Sequence, residues 1–298
     1  MMFDRSPEPR ILTTVRPTAV TVGWGYEPLR FGRGLPMSGF AARRDHSATA
    51  LTPGPEAIAM AVGDEVIVAL DVIGVDRELA DMITESARLP NDVILTATHT
   101  HSGPGILPGR LGACSEEART LAANAAATAA RRALDSAGGC TLEWLEPAMP
   151  GLAHDRRRRR VAWDAQLRAL RWKSGGYVTG YLVSYPCHPS IIGSTNTHLS
   201  PDYPGYLRTR IQEATGCPVI FLTGCAGDVN AGYSERASSQ RNHDIGRTPS
   251  DADLFGTTLA EALLAGRWQP VDMSAGVATR RADVDACLVP IDMEAPAQ

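Results

Sequence analysis

Short apolar runs along the chain predict buried β-strands, since each has the length of one strand and lies between polar segments. They are EVIVALD (65–71), DVILTATH (92–99), GYLVSYPCH (180–188) and PVIFLTG (218–224). Further strands are predicted at 141–146, 161–172 and 274–289. The last two of these alternate apolar and polar residues, which is typical of an antiparallel edge or extension.

Helical patterns follow at least three of these runs. The Ala-rich segment 115–139 begins with a Ser and two Glu and ends in Gly, which are the usual signals for the start and end of a helix. Other helices are predicted at 75–88, 203–214 and 250–265, the second of them with Pro in its first turn. Alternating strands and helices predict an α/β fold: a layered, mostly parallel central sheet flanked by helices, with antiparallel extensions.

The carboxyl ends of the strands carry polar side chains that can bind a metal ion or a proton. These residues are Asp71, His99, His101, His188, Asp228 and Asn230. Ligands of open α/β sheets bind in the crevice at this edge. Since several separate strand ends deliver such groups, the pattern favours a functional site over core packing.

The histidines predict a zinc site. Zinc prefers imidazole, carboxylate and thiolate ligands, and a catalytic site keeps one position open. His99 and His101 are two residues apart, so on an extended backbone their side chains point the same way. Either both are ligands, or one is a ligand and the other serves a substrate or water. A lone histidine at a strand end is more often structural, but a third one, His188, at another strand end favours metal binding.

Composition and charge narrow the function. The 298 residues are 44% hydrophobic, enough for one large domain or two small ones. The net charge of −4 gives no basic field that would indicate nucleic acid or an anionic membrane as partner. The chain has no apolar stretch of about 18 residues that would span a bilayer and no signal-peptide core at its start, so we expect a cytoplasmic location.

Other catalytic motifs are absent from the sequence: it contains no G-x-S-x-G elbow and no phosphate-binding P-loop. The basic run Arg156–Arg160 has two interpretations. It forms a solvated turn, or one or two of its arginines reach into the crevice and hold a substrate carbonyl or carboxylate.

Three blocks resemble the neutral/alkaline (non-lysosomal) ceramidase family in order and spacing. They are NDVILTATHTHSGPG, GYLVSYPCHPSIIG with the following LSPDYPGYLRTRIQE, and PVIFLTGCAGDVN. The resemblance extends over 15–266. It implies a single catalytic domain over 1–298 that corresponds to the family's N-terminal zinc-hydrolase domain, without the C-terminal immunoglobulin-like domain. It is that of a short bacterial-type member rather than of a true ceramidase.

The resemblance also implies residue roles. In the family a zinc ion activates water that cleaves an N-acyl amide. His99 and His188 resemble the two histidine ligands, and His101 resembles the neighbouring histidine that assists without binding the metal. Arg156 is similar in place to an arginine that contacts substrate, although it follows Asp155 where the family has Asn.

Two departures from the family pattern concern the metal. Asn230 stands where ceramidases carry a serine close to the zinc. The family's remaining ligands, a Glu and a Tyr, have no convincing match in 274–298. The third ligand is therefore expected to be a local carboxylate, Asp228 first and Asp71 or Asp202 next. The alternatives are weak metal binding, a fragment of a longer protein, or a degraded family member.

The sequence thus predicts a zinc-dependent hydrolase that cleaves an N-acyl amide or ester of a small substrate. His101 would pass a proton to the leaving group, and Asn230 and Arg156 would hold the developing oxyanion. Two alternatives stay open. One is a non-catalytic member that binds a ligand or partner, and the other is a metal-assisted, non-hydrolytic enzyme acting on a natural-product intermediate.

Overall fold

The computed structural model describes residues 20–41, 49–109, 113–149, 151–157, 165–233 and 247–273, and the short pieces 13–14, 43, 47, 236 and 278–279. Within these residues the strands are β1 (Thr13–Thr14), β2 (Thr21–Pro28), β3 (Glu56–Val62), β4 (Glu65–Leu70), β5 (Ile94–Ala97), β6 (Gly138–Gly139), β7 (Thr141–Leu145), β8 (His154–Asp155), β9 (Arg168–Ser174), β10 (Tyr177–Tyr185), β11 (Val219–Thr223), β12 (Val229–Asn230), β13 (Gln269–Pro270) and β14 (Ala278–Thr279). The helices are α1 (Arg77–Ala87), α2 (Glu116–Asp135), α3 (Tyr203–Thr215) and α4 (Pro249–Leu264).

Two five-stranded sheets form the centre of the fold. The first has the strand order β5-β4-β3-β2-β6 and the second β11-β10-β9-β7-β13. The pairs β4–β5 and β10–β11 are parallel, with α1 and α3 as their respective crossovers, whereas the remaining pairs in both sheets are antiparallel. The α/β class is confirmed, but the predicted mostly parallel sheet is not.

The burial of alternating side chains explains why the sequence pattern predicts mostly parallel strands. On β4, Val66, Val68 and Leu70 face the core that contains α1 and α2, whereas Ile67 and Ala69 face the second sheet. Both faces of the strand are therefore buried, and a continuous apolar run results. Such an apolar run indicates that both faces of the strand are buried. A helical layer on one face and a second sheet on the other produce the same run as two helical layers do.

The layers follow the order helices, sheet, sheet, helices. Helices α1 and α2 pack on the outer face of the first sheet, and α3 and α4 pack on the outer face of the second. Between the sheets lies a smaller core that includes Val22, Ile58, Trp172 and Ile220. The strands β5 and β10 each lie in a parallel pair. Their carboxyl ends lead into the loops that carry the histidines.

The predicted helices agree well with the observed ones. The Ser115 side chain accepts a hydrogen bond from the Ala118 backbone N–H and so caps α2. The Ala-rich face of α2 lies directly on β2, where a Cβ at Gly23 or Gly25 would overlap helix carbonyl oxygens. The small residues on both elements permit this close approach.

Some sequence predictions fall outside the described residues or differ from the structure. Residues 161–164 and most of 274–289 lie outside the described part of the chain, and β2 and β3 were not predicted from the sequence. None of the helices in the described part combines the length and apolarity needed to cross a bilayer.

Candidate metal centre

Three imidazoles converge where the two sheets meet. His99 and His101 follow β5 of the first sheet, and His188 follows β10 of the second. The ring centroids are 5.2 Å apart for His99 and His101, 4.9 Å for His99 and His188, and 5.3 Å for His101 and His188. One nitrogen from each ring lies within 4.8 Å of the others, which is close enough for all three to surround one ion.

Backbone carbonyls orient two of these rings. His99 Nδ1 lies 2.6 Å from the Ile73 carbonyl oxygen, and His188 Nδ1 lies 2.6 Å from the Ala226 carbonyl oxygen. Because a carbonyl oxygen only accepts, Nδ1 donates in both contacts and each Nε2 keeps its lone pair. This second-sphere arrangement is typical of metal-binding histidines.

The third ring, that of His101, is differently placed. It is 7% exposed, and neither of its ring nitrogens has a hydrogen-bond partner. Its backbone is held firmly, because its N–H donates to the Pro189 carbonyl at 2.9 Å and its carbonyl accepts from the Arg43 guanidinium. Burying a polar group without a hydrogen-bond partner costs about 1–3 kcal/mol of stability. A ligand that binds one nitrogen of this ring would offset part of that cost.

The environment keeps the imidazoles neutral. Burial lowers the pKa of His188 to about 4, with a smaller contribution from the positive charge of Arg156. Burial likewise lowers the pKa of His99 and lowers that of His101 well below its usual value. The rings are therefore neutral near pH 7, and a neutral ring is the form that binds a metal ion.

The local backbone at His99 differs from the extended conformation expected from the sequence. His99 has φ of 66°, in the left-handed region that residues other than glycine adopt rarely. Hydrogen bonds on both sides hold it there: Thr98 Oγ1 donates to Asp71 Oδ1 at 3.0 Å, and Thr100 Oγ1 donates to the Ser200 carbonyl at 2.7 Å. The two rings converge through this turn and not through the alternation of a strand.

Asp71 and Asp202, the secondary ligand candidates, have structural partners. The fully buried Asp71 carboxylate accepts from Arg208 Nη1 at 3.0 Å and Nη2 at 2.6 Å, and also from the Glu56 backbone N–H. Asp202 caps α3 and accepts from the backbone N–H groups of Ile191, Ile192 and Tyr203. Burial raises the pKa of Asp202 to about 6. Neither carboxylate belongs to the histidine cluster.

Asp228, the preferred carboxylate candidate, lies outside the cluster in the structure. Its side chain is about half exposed and forms ion pairs with Arg157 at 3.0 Å and Arg156 at 3.9 Å. Within the described residues, the group of metal-binding side chains at ligand distance consists of the three histidines. In the structure the His101 ring lies beside those of His99 and His188, whereas the Asp228 carboxylate pairs with the two arginines.

The Arg156 side chain is 24% exposed and follows β8 directly. Its backbone N–H donates to the Asp228 carbonyl at 2.8 Å, beside the β8–β12 pair. Its positive charge lowers the pKa of both His99 and His188. Its Nε is buried without a hydrogen-bond partner. Of the two interpretations of the basic run, the position of Arg156 favours an arginine that reaches the crevice.

Asn230 braces a loop. Its Nδ2 donates to the Tyr233 carbonyl at 2.8 Å, and its Oδ1 accepts from the N–H groups of Gly232 and Tyr233. Both ends of the amide are thus engaged within 230–233. That Asn230 also holds a substrate oxyanion stays a prediction.

Two buried arginines support the site without having been singled out in the sequence. Arg43 donates to the carbonyls of Ser38, Gly193 and Ser194, as well as to that of His101. The Arg247 guanidinium donates to the carbonyls of Ser190 and Ile191. Both guanidinium groups lie over the Phe40 ring, at 4.9 and 5.1 Å. No local motif marks these residues, since all of these partners except Ser38 are carbonyls more than 50 positions away in the sequence.

Neither a protein-family model nor a curated protein matches the chain. Solved structures do. The neutral ceramidase from Pseudomonas aeruginosa matches with a TM-score of 0.66 and 18% identity, over 82% of this chain and 44% of that one. A structure described as ceramidase complexed with C2 matches with a TM-score of 0.64 and 18% identity, over 82% and 43%. The chain spans less than half the length of these proteins. The likeness shows a ceramidase-like fold.

Proposed function

We propose that the protein is a zinc-dependent hydrolase that cleaves an N-acyl amide or ester of a small substrate, with residues 1–298 forming one catalytic domain. The observation that best supports this proposal is the cluster of three neutral imidazoles, two of which are oriented by backbone carbonyls. Nitrogen donors of this kind suit zinc. The ceramidase-like fold supports the choice of an amide or ester as the reacting bond.

The residues fit a zinc ion on the evidence of their own contacts. His99 and His188 would hold it through the ring nitrogens that their carbonyl partners leave available. A zinc ion at such a site lowers the pKa of water from 15.7 to about 7 and polarises a carbonyl group. The half-buried Arg156 then contributes orientation, since a guanidinium forms charge-assisted hydrogen bonds with a carbonyl or a carboxylate.

Removal and return of the metal test this function. We expect the purified full chain to contain zinc and to hydrolyse members of a panel of short N-acyl amino acids and p-nitrophenyl esters. Dialysis against 1,10-phenanthroline should abolish hydrolysis of the amides, and added zinc should restore it, because without the ion no bound water is activated at neutral pH. Metal content by plasma mass spectrometry and initial rates are the measurements. A metal-free protein that hydrolyses the panel at full rate would contradict the proposal.

The position of Arg156 predicts a substrate effect. We expect Arg156→Ala to lower kcat/KM about 10- to 100-fold, as lost charged hydrogen bonds of roughly 1.5–3 kcal/mol imply. Its neighbour provides a matched control, since Arg157 is more exposed and shares the same Asp228 partner. Arg157→Ala should leave kcat/KM nearly unchanged. Equal effects of the two substitutions would show that Arg156 acts only through local structure.

A further inference from the structure

We infer that His101 is the third ligand of the metal, so that three imidazoles from the described part of the chain bind the ion. The inference rests on the proposed function and changes one part of it. His101 would bind the ion itself, whereas the resemblance implies an assisting histidine and a carboxylate ligand elsewhere.

The three-fold arrangement of the rings is the first argument. The centroid separations of 4.9, 5.2 and 5.3 Å are nearly equal, so His101 is as close to the other two rings as they are to each other. An assisting residue need only reach the substrate side of a metal. Equal spacing is what a shared ion requires of its ligands.

The second argument is that the His101 ring is buried without a hydrogen-bond partner from the described residues. His101 is 7% exposed, and both of its ring nitrogens lack a hydrogen-bond partner in the described part of the chain. A bound cation would satisfy one of them and offset the cost of burying it.

The third argument concerns rigidity. The His101 backbone is held by Pro189 and Arg43 through its N–H and carbonyl groups. The Phe40 ring meets the imidazole edge-on at a centroid distance of 4.9 Å. A Cβ at Gly39 would lie only 2.6 Å from the His101 Cα, so the loop that carries Gly39 packs directly against this residue. A ligand with so little freedom is pre-organised for binding.

The fourth argument is that the local carboxylates have other partners. Asp71 binds Arg208, Asp202 caps α3, and Asp228 pairs with Arg157. Moving Asp71 or Asp202 to the metal would leave a buried arginine or a helix end without its partner, at a cost in free energy. Asp228 is paired with an exposed arginine and does not belong to the cluster. One ring nitrogen of His101 lies within 4.8 Å of a nitrogen of each of the other two rings.

The test measures metal binding and not turnover alone. Zinc affinity of the full chain is determined by competition with a chromophoric chelator, and the cobalt-loaded protein is examined by visible absorption. We expect His101→Ala and the more conservative His101→Gln to weaken zinc binding by at least about 10- to 100-fold and to change the cobalt spectrum, since a ligand matters no less than an outer-sphere partner. Urea unfolding checks that each variant is folded, and at least one of the two is expected to be.

His198→Ala is the matched control. His198 is a half-buried histidine near Thr49 and outside the cluster, so its removal should change neither zinc affinity nor the cobalt spectrum. If the wild type binds zinc tightly and a folded His101 variant keeps the same affinity and spectrum, the third-ligand assignment is wrong while the proposed function stands. If the wild type itself binds no zinc, the proposed function fails as well.

Discussion

Replacing His188 with alanine is expected to remove zinc from the protein and to lower kcat/KM by a factor on the order of a thousand or more, because the water pKa shift of several units depends on the ion. His188 comes from the second sheet, whereas His99 comes from the first, so it joins the two halves of the centre. Its Nδ1 donates to the Ala226 carbonyl, and this contact orients the His188 ring.

Zinc per chain and kcat/KM on the best substrate of the panel are the measurements for His188→Ala. His198→Ala serves again as the control and should match the wild type in both. His188→Gln distinguishes lost packing from lost coordination, because it keeps a polar side chain of similar length. A His188 variant that retains both one zinc per chain and full activity would refute the metal centre described above.

The second large effect is expected for stability. Arg208→Met should lower the free energy of unfolding by about 3–5 kcal/mol, because it leaves a buried carboxylate without its counter-ion. Asp71 and Arg208 are both fully buried and joined by two hydrogen bonds, and Glu56 lies 3.4 Å from the same guanidinium. Urea unfolding followed by circular dichroism measures the loss.

An exposed ion pair and a double substitution control for this experiment. Arg77→Ala breaks the ion pair between Arg77 and Asp81, whose side chains are 71% and 51% exposed, respectively. This substitution should lower the free energy of unfolding by less than about 1 kcal/mol. Combining Arg208→Met with Asp71→Leu should restore part of the stability, since replacement of both buried partners by apolar groups is often neutral. A loss for Arg208→Met no larger than that for Arg77→Ala would mean that the buried pair contributes little.

Asp71 also connects this ion pair to the metal centre. Its Oδ1 accepts from the Thr98 hydroxyl, and the Thr98 carbonyl accepts from Thr223 Oγ1 at 2.6 Å. Thr98 precedes His99, whose left-handed backbone needs support on this side. The residue that the sequence suggested as a ligand, Asp71, thus positions His99 through Thr98.

The helices and the two strand-end histidine motifs were predictable from the sequence. Helix α2 begins at a Ser115 cap that interacts with a residue three positions away, and α4 begins with a complete capping box between Thr248 and Asp251. Such signals lie within one turn of the chain. Likewise, the apolar runs that end in His99 and His188 show where a buried strand is followed by polar side chains.

Strand direction was decided by the tertiary structure. A strand buried on both faces has the same apolar pattern in a parallel and in an antiparallel pair, so the pattern of β4 does not show that β3 runs antiparallel to it and β5 parallel. The second sheet that covers this face begins with Thr141 of β7, about 70 positions after Leu70 of β4. No local signal carries that information.

The partners of the charged side chains were also decided by the tertiary structure. The sequence determined which residues have the chemistry to bind a metal: histidines and aspartates at strand ends. It did not determine that Asp71 binds Arg208, 137 residues away, that Asp228 faces two arginines, or that His101 takes the place beside the other two rings. A carboxylate pairs with whichever cation the folded chain brings nearest, and that distance exists only once both sheets have packed together.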